Sequence, residues 1–190
     1  MTSLAAEMIE RAWSIRRSAL ALDSVHERQL ILSKDVRPVL VDALGLSREA
    51  GESSLVLVAL GKLSHVERDL GNHEEAEDLL VEAVQLARLQ QNPARLAHSI
   101  RHMADLYTEA GQALEARTLL EESVELYRTM APPPPLDYAN ALYRLAHSSE
   151  TIDARAALAM WIEARDLFKH LNIREGVEMC EAHIAKLEST

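Results

Sequence analysis

Apolar residues recur along much of the chain at intervals of three and four, which is the spacing of one face of an α-helix. In residues 73–90 they are Ala76, Leu79, Leu80, Ala83, Val84 and Ala87, and in residues 113–130 they are Ala116, Leu119, Leu120, Val124 and Tyr127. A glycine precedes each stretch, Gly71 or Gly111, where a tight turn needs a residue that tolerates positive φ. Another apolar helix precedes each glycine, over residues 54–70 and 94–110. The pattern therefore predicts helix–turn–helix units.

The two units are written in the same residues at a shift of 40. The second helices share nine positions: Gly71/Gly111, Glu75/Glu115, Ala76/Ala116, Leu79/Leu119, Leu80/Leu120, Glu82/Glu122, Val84/Val124, Leu86/Leu126 and Arg88/Arg128. A single helix pair cannot bury both of its apolar faces, whereas stacked neighbours bury them together. The repetition therefore predicts an array of helix pairs.

The positions of small and large residues in these units resemble those of the tetratricopeptide repeat. The unit at 54–90 supplies Leu60, Leu63, Ser64, Ala76, Leu80 and Ala83. The unit at 94–130 supplies Ile100, Met103, Ala104, Tyr107, Ala116, Leu120 and Ser123. A third unit supplies Leu142, Leu145, Ala146, Ala157, Trp161 and Ala164. Within that family, the period of 40 to 42 residues is most similar to the long repeats of the kinesin light chain group. The resemblance implies a stacked helical superhelix that binds other proteins.

The fold class predicted is therefore all-α: a right-handed α-solenoid of about four antiparallel helix pairs plus a C-terminal capping helix. We expect a single domain over residues 1–190, with units at about 3–50, 54–90, 94–130 and 136–171 and the cap helix at 173–188. In the first unit, residues 24–30 and 40–48 mirror the next unit at the same shift, with a turn at residues 31–34. We expect one long helix from about Ser3 to Leu30.

Composition narrows the class of protein. Apolar residues make up 48% of the chain but aromatic residues only 4%, a balance that favours helices over sheets. The net charge of −10 argues against nucleic acid as a partner. No apolar run is long enough to predict a membrane helix, and the opening residues MTSLAAEMIERAW do not read as a secretory signal. The single cysteine, Cys180, suits a reducing compartment, so we expect a cytoplasmic protein.

The sequence contains none of the common catalytic or nucleotide-binding motifs, such as GxxxxGK[ST], GxGxxG, GxSxG or HExxH. We therefore expect a protein that is not an enzyme and needs no cofactor.

In the family that these residues resemble, the first helix of each unit lines a concave groove. The resemblance implies that a peptide or helix of a protein partner binds there. The groove residues that it implies are His65, Arg68, His98, Arg101, His102, Asp105, Asn140, Tyr143 and His147.

A metal or small-ligand sensor is an alternative interpretation of the groove. His98 and His102 are four residues apart on one helix face, a spacing compatible with a metal, and Asp105 and His147 could approach them. The simpler interpretation is a polar groove without a metal, and it is the one that we adopt.

The N-terminal helix suggests a further alternative, a self-associating structural or regulatory protein. Its apolar residues extend around the helix rather than forming one stripe. A homodimer through Met8, Ile9 and Trp13 would cover that surface. In a monomer, Trp13 would fold back onto residues 35–50 instead.

Overall fold

The computed structural model describes residues 3–189, and within that range every regular element is helical, as predicted. The helices of the first half are α1 (Leu4–Leu20), α2 (Val25–Ile31), α3 (Arg37–Glu49), α4 (Ser53–Leu70) and α5 (His73–Leu89). Those of the second half are α6 (Pro93–Glu109), α7 (Ala113–Arg128), α8 (Pro135–Ser149), α9 (Ala154–His170) and α10 (Arg174–Glu188). A π-helical segment, Leu32–Val36, joins α2 to α3.

The chain divides after residue 91 into two compact units, the first with α1 to α5 and the second with α6 to α10. In the first unit α4 packs against α5, and α1 packs against α3 and α4. In the second unit each helix packs against the next one along the chain. Within each unit, helices that are close in sequence are thus neighbours in space, which is the arrangement that the repeated pattern predicts.

The predicted glycine turns are present in both repeats. Gly71 has a φ of 85° and Gly111 a φ of 75°, both in the left-handed region. In each case the following N–H bonds back to a carbonyl five residues earlier: Asn72 N to Glu67 O and Gln112 N to Tyr107 O, both at 2.8 Å. These bonds satisfy carbonyls at the helix ends, so each glycine closes its first helix and starts the turn.

Small side chains lie where the paired helices approach one another. In the second unit Ala104, Ala116, Ala146 and Ala157 are buried, and Trp161 fills the space between α8, α9 and α10. The predicted core leucines, Leu80 and Leu120, are also buried. Because alanine extends only one carbon from the backbone, these positions allow helices to pack closely.

The N-terminal region differs from its prediction in two respects. The long helix is interrupted, since α1 ends at Leu20 and α2 begins after Ser24, whose Oγ accepts a hydrogen bond from the N–H of Glu27. Residues 31–34 do not form a turn either, because the helix continues through the π-helical segment. Pro38 lies at the start of α3 and has no N–H to donate to a carbonyl of the preceding turn. The wider π turn accommodates that missing bond.

The predicted dimer contact at Ile9 is wrong. Ile9 is 1% exposed, within a buried face of α1 that also includes Ala5, Ala12 and Ala19. Trp13 lies against α4 rather than residues 35–50: its ring is 5.6 Å from that of His65, and the Lys62 ammonium lies 4.2 Å above it. Part of the wide apolar surface of α1 is explained by burial on two sides, against α3 and α4, whereas Leu4 and Leu20 remain exposed.

The terminal helix α10 covers the end of the second unit, as expected of a cap. Cys180 and Ile184 are buried in the same core as Trp161, and burial raises the pKa of the Cys180 thiol to about 11. Gly176 lies against the ring of Phe168 on α9, so closely that a Cβ there would be 2.6 Å from Phe168 Cγ. Among the described residues, no helix is both long enough and apolar enough to cross a membrane.

Candidate functional site

The groove residues predicted in the first unit, His65 and Arg68, lie on α4 and are half-buried. The ring of His65 packs near that of Trp13 of α1, with the two planes inclined by 52°. Sequence reasoning missed the buried acid beside them: Glu67 accepts hydrogen bonds from Arg37 Nε at 2.6 Å and Asn72 Nδ2 at 2.8 Å. Glu67 thus ties α4 to the start of α3 and to the glycine turn, a structural role.

In the second unit, α6 carries four of the predicted residues in two successive turns: His98, Arg101, His102 and Asp105. The rings of His98 and His102 lie 4.6 Å apart, edge to face. Arg101 Nη2 lies 2.6 Å from His102 Nε2, and Arg101 Nη1 donates to Asp105 Oδ2 at 3.5 Å. Burial lowers the pKa of Arg101, because the surroundings solvate its charge poorly, while the Asp105 carboxylate acts in the opposite direction. These side chains form one connected polar network.

A hydrogen bond and an ion pair connect this network to α8. His98 Nδ1 lies 3.2 Å from Asp137 Oδ1, and Arg144 Nε lies 3.2 Å from Asp105 Oδ1. The hydrogen bond with His98 lowers the pKa of Asp137, with burial opposing the shift. We call His98, Asp105, Asp137, Asn140 and Arg144 the α6–α8 surface.

Sequence analysis did not place Asp137 or Arg144 in the groove. The repeat period could have indicated these two contacts, because the two residues of each contact are 39 positions apart, one less than the period. Residues on successive first helices therefore become neighbours almost in register.

The remaining predicted residues on α8 lie in different surroundings. Asn140 is half-buried and lies between Asp137 and Arg144 in the sequence. The ring of Tyr143 packs edge-on at 5.0 Å from Trp161, and its hydroxyl donates to Met179 Sδ on α10 at 3.8 Å. The exposed ring of His147 is 5.6 Å from that of His183 on α10. Tyr143 and His147 of α8 thus contact the cap helix α10, whereas Arg144 of α8 contacts Asp105 of α6.

A second polar cluster lies where the end of α8 meets α10, and sequence analysis missed it. His147, Glu150 and His183 each present a potential metal-ligand atom, and these atoms lie within 4.8 Å of one another. Glu150 Oε1 accepts hydrogen bonds from His183 Nδ1 at 2.5 Å and Trp161 Nε1 at 3.1 Å. Lys186 Nζ donates to Glu150 Oε2 at 2.9 Å. Burial acts to raise the pKa of Glu150, but the hydrogen bonds from Lys186 and His183 outweigh it and lower that pKa.

Comparison with known proteins gives a family match for part of the chain. Residues 55–129 match the family model of the tetratricopeptide repeat. No curated protein matches the chain in sequence. Proteins with this repeat are generally scaffolds for protein interaction and typically have no enzymatic activity.

Solved structures share the fold at low sequence identity. The crystal structure of the putative kinesin light chain TPR-like repeats of Podosopora anserina superposes with a TM-score of 0.60 and 16% identity, covering 100% of this chain and 98% of that one. The crystal structure of BtubC (BKLC) from P. vanneervenii superposes with a TM-score of 0.60 and 12% identity, covering 99% of this chain and 92% of that one. Both likenesses support the predicted all-α solenoid fold. In sequence, residues 55–129 of this chain match the tetratricopeptide repeat model.

Proposed function

We propose that this chain is a protein-interaction scaffold without catalytic activity, and that it binds a peptide segment of a partner on the α6–α8 surface. The observation that carries the proposal is a pair of contacts between α6 and α8: the hydrogen bond of His98 with Asp137 and the ion pair of Asp105 with Arg144. They hold side chains of two first helices in fixed positions before any ligand arrives. A preformed polar surface loses less conformational entropy on binding than a flexible one.

Arg144 is the best-placed residue for contacting a ligand. Its side chain is half-exposed, although its Nε is held by the buried carboxylate of Asp105. A guanidinium has five N–H donors, so donors remain for a carbonyl or carboxylate of the peptide. Asn140 lies one helical turn before Arg144 and adds an amide that both donates and accepts, which suits a peptide backbone. The surface combines the positive charge of Arg144 with the carboxylates of Asp105 and Asp137, so it favours a peptide of mixed charge over a uniformly acidic or basic one.

The test is selection of peptides from a random displayed library on the intact chain, followed by binding measurements on the enriched peptides. The surface variant is Asn140→Ala with Arg144→Ala. The matched control is Arg117→Ala with Arg155→Ala, which removes one half-buried and one exposed side chain from the second helices α7 and α9. Both variants should retain the circular dichroism of the parent chain and lose at most about 1 kcal/mol of unfolding free energy for the ion pair removed.

We expect the parent and the control to bind the enriched peptides alike. The surface variant should bind about tenfold or more weakly, because a hydrogen bond to a charged group contributes about 1.5–3 kcal/mol. Equal binding by the folded surface variant would refute the proposed location, and a library without any enriched peptide would refute peptide binding by this surface.

A further inference from the structure

The cluster of His147, Glu150 and His183 is not needed for peptide binding on the α6–α8 surface, and its composition indicates another activity. Two imidazoles and one carboxylate are a donor set that suits Zn²⁺ when a fourth position is left to water. The three side chains come from the end of α8 and from α10, and their potential ligand atoms lie within 4.8 Å of one another. We propose that His147, Glu150 and His183 bind a divalent transition-metal ion of the zinc type, which fastens the cap helix α10 to α8.

The surroundings of His183 fix its position in advance. Its ring stacks on the indole of Trp161, with centroids 4.2 Å apart and planes inclined by 12°. Its Nδ1 faces Glu150, and the ring of His147 stands nearly perpendicular to it, at 86°. Trp161 also donates to Glu150, so one buried residue orients two members of the site. Orientation of ligands by such neighbours is a regular property of metal sites.

Two contacts have to change when the ion binds. In a tetrahedral zinc site with bonds near 2.0 Å, ligand atoms lie about 3.3 Å apart. The 2.5 Å contact between His183 Nδ1 and Glu150 Oε1 is shorter than that spacing, so the metal would separate these atoms and take the place of the proton between them. The Lys186 ammonium, 2.9 Å from Glu150 Oε2, occupies the same carboxylate as a competing cation.

The three side chains differ in solvent exposure, so that the site is buried on one side and accessible from the other. The side chain of Glu150 is 8% exposed and that of His183 is 25% exposed, while His147 lies at the surface. Solvent thus reaches the site from the His147 side, where the ion enters and a water completes its coordination. A buried carboxylate supplies negative charge in surroundings where a cation gains more from it than at the open surface.

The experiment is calorimetric titration of the metal-free full chain with Zn²⁺, and with Mg²⁺ as the control ion. Magnesium prefers oxygen ligands and keeps most of its water, so it should give no saturable binding here. Zinc should bind at one site in the parent chain and raise the melting temperature. Zinc binding should be lost in His147→Ala, which removes an exposed side chain and preserves the fold, and in His183→Ala. Lys186→Gln should bind zinc more tightly than the parent, because the competing ammonium is gone.

The matched control variant is His98→Ala, which removes a histidine of α6 and leaves this cluster intact. Its zinc binding should equal that of the parent. The proposal is overturned by the absence of saturable zinc binding, by unchanged binding in folded His147→Ala, or by a site that disappears in His98→Ala. Since none of these variants alters Asn140 or Arg144, a failure here is distinguishable from a failure of peptide binding.

Discussion

Arg144 of α8 and Asp105 of α6 form an ion pair, with Nε 3.2 Å from Oδ1, between helices that belong to successive repeats. The two residues contribute unequally to it. The carboxylate of Asp105 is 7% exposed and also contacts Arg101 and His102 on its own helix, whereas Arg144 is half-exposed. The network therefore depends on Asp105, and Arg144 is held by it at the surface.

That inequality predicts losses of stability of different size for the two single variants. Asp105→Ala should lower the free energy of unfolding by about 3–5 kcal/mol, because it leaves the buried Arg101 charge without its carboxylate. Arg144→Ala should cost at most about 1 kcal/mol, as for an ordinary surface ion pair. Urea unfolding followed by circular dichroism compares them, and equal losses would show that Asp105 is not the centre of the network.

The contact between Gly176 and Phe168 predicts a sensitive position in the cap helix. Gly176→Ala should destabilise the chain by about 1–3 kcal/mol, because the added Cβ would overlap the Phe168 ring in a packed core. Gly61→Ala is the control: it lies within α4, and a Cβ there would meet nothing within 4 Å. That change should stabilise by about 0.5–1 kcal/mol, since alanine favours helix more than glycine does. Thermal melts of both variants test the packing of α10, and a stable Gly176→Ala variant would contradict it.

The repeat pattern assigns Leu80 to the core and Glu82 to the surface of the same helix. Leu80→Ala should cost about 2–5 kcal/mol through the cavity that it leaves. Glu82 accepts two hydrogen bonds from Arg48, but both side chains are largely exposed, so Glu82→Ala should cost at most about 1 kcal/mol. Coincident urea midpoints for the two variants would show that the helix register is wrong.

Asp137 predicts a loss of stability in acid. Its pKa is lowered from 3.8 in the folded chain by the hydrogen bond with His98, so folding favours the ionised carboxylate. The resulting stabilisation is fully present above the unfolded pKa and disappears as the pH falls through the lowered folded value. The difference in unfolding free energy between the parent and Asp137→Asn should therefore be larger at about pH 7 than at about pH 3. A difference that is independent of pH would contradict the bridge between α6 and α8.

The sequence predicted the four helices α4 to α7 closely, because their apolar stripes are regular and their turns contain Gly71 and Gly111. The break between α1 and α2 was missed, because no glycine or proline marks it and apolar residues continue across it. Ser24 followed by Glu27 is nevertheless a helix-start signal of the S-x-x-E type, and Ser24 does cap α2. The prediction of one long helix followed the apolar periodicity, which does not show where a helix ends, and disregarded the capping signal at Ser24.

The functional residues were predicted less completely than the fold, because a pattern within one helix does not show which side chains meet across helices. Arg48 and Arg128 illustrate this: both lie near the end of a helix, where the sequence of that helix alone does not show which acidic side chain they meet. In the structure Arg48 pairs with Glu82 at 2.5 Å, and Arg128 pairs with Glu163 at 3.7 Å, each on the next second helix. The cluster around Glu150 was missed for the same reason, since Glu150 lies 33 residues before His183 and 36 residues before Lys186.

The central claim is that the first helices of the second unit, α6 and α8, bind the ligand. The most direct test compares amide hydrogen exchange of the chain alone with that of the chain saturated by an enriched peptide. Local opening governs exchange, so contact with a ligand slows it where the ligand binds. The account predicts slower exchange in α6 and α8 around His98 and Arg144, with α7 and the outer part of α9 unchanged. Slower exchange confined to α7 and α9, with α6 and α8 unaffected, would contradict it.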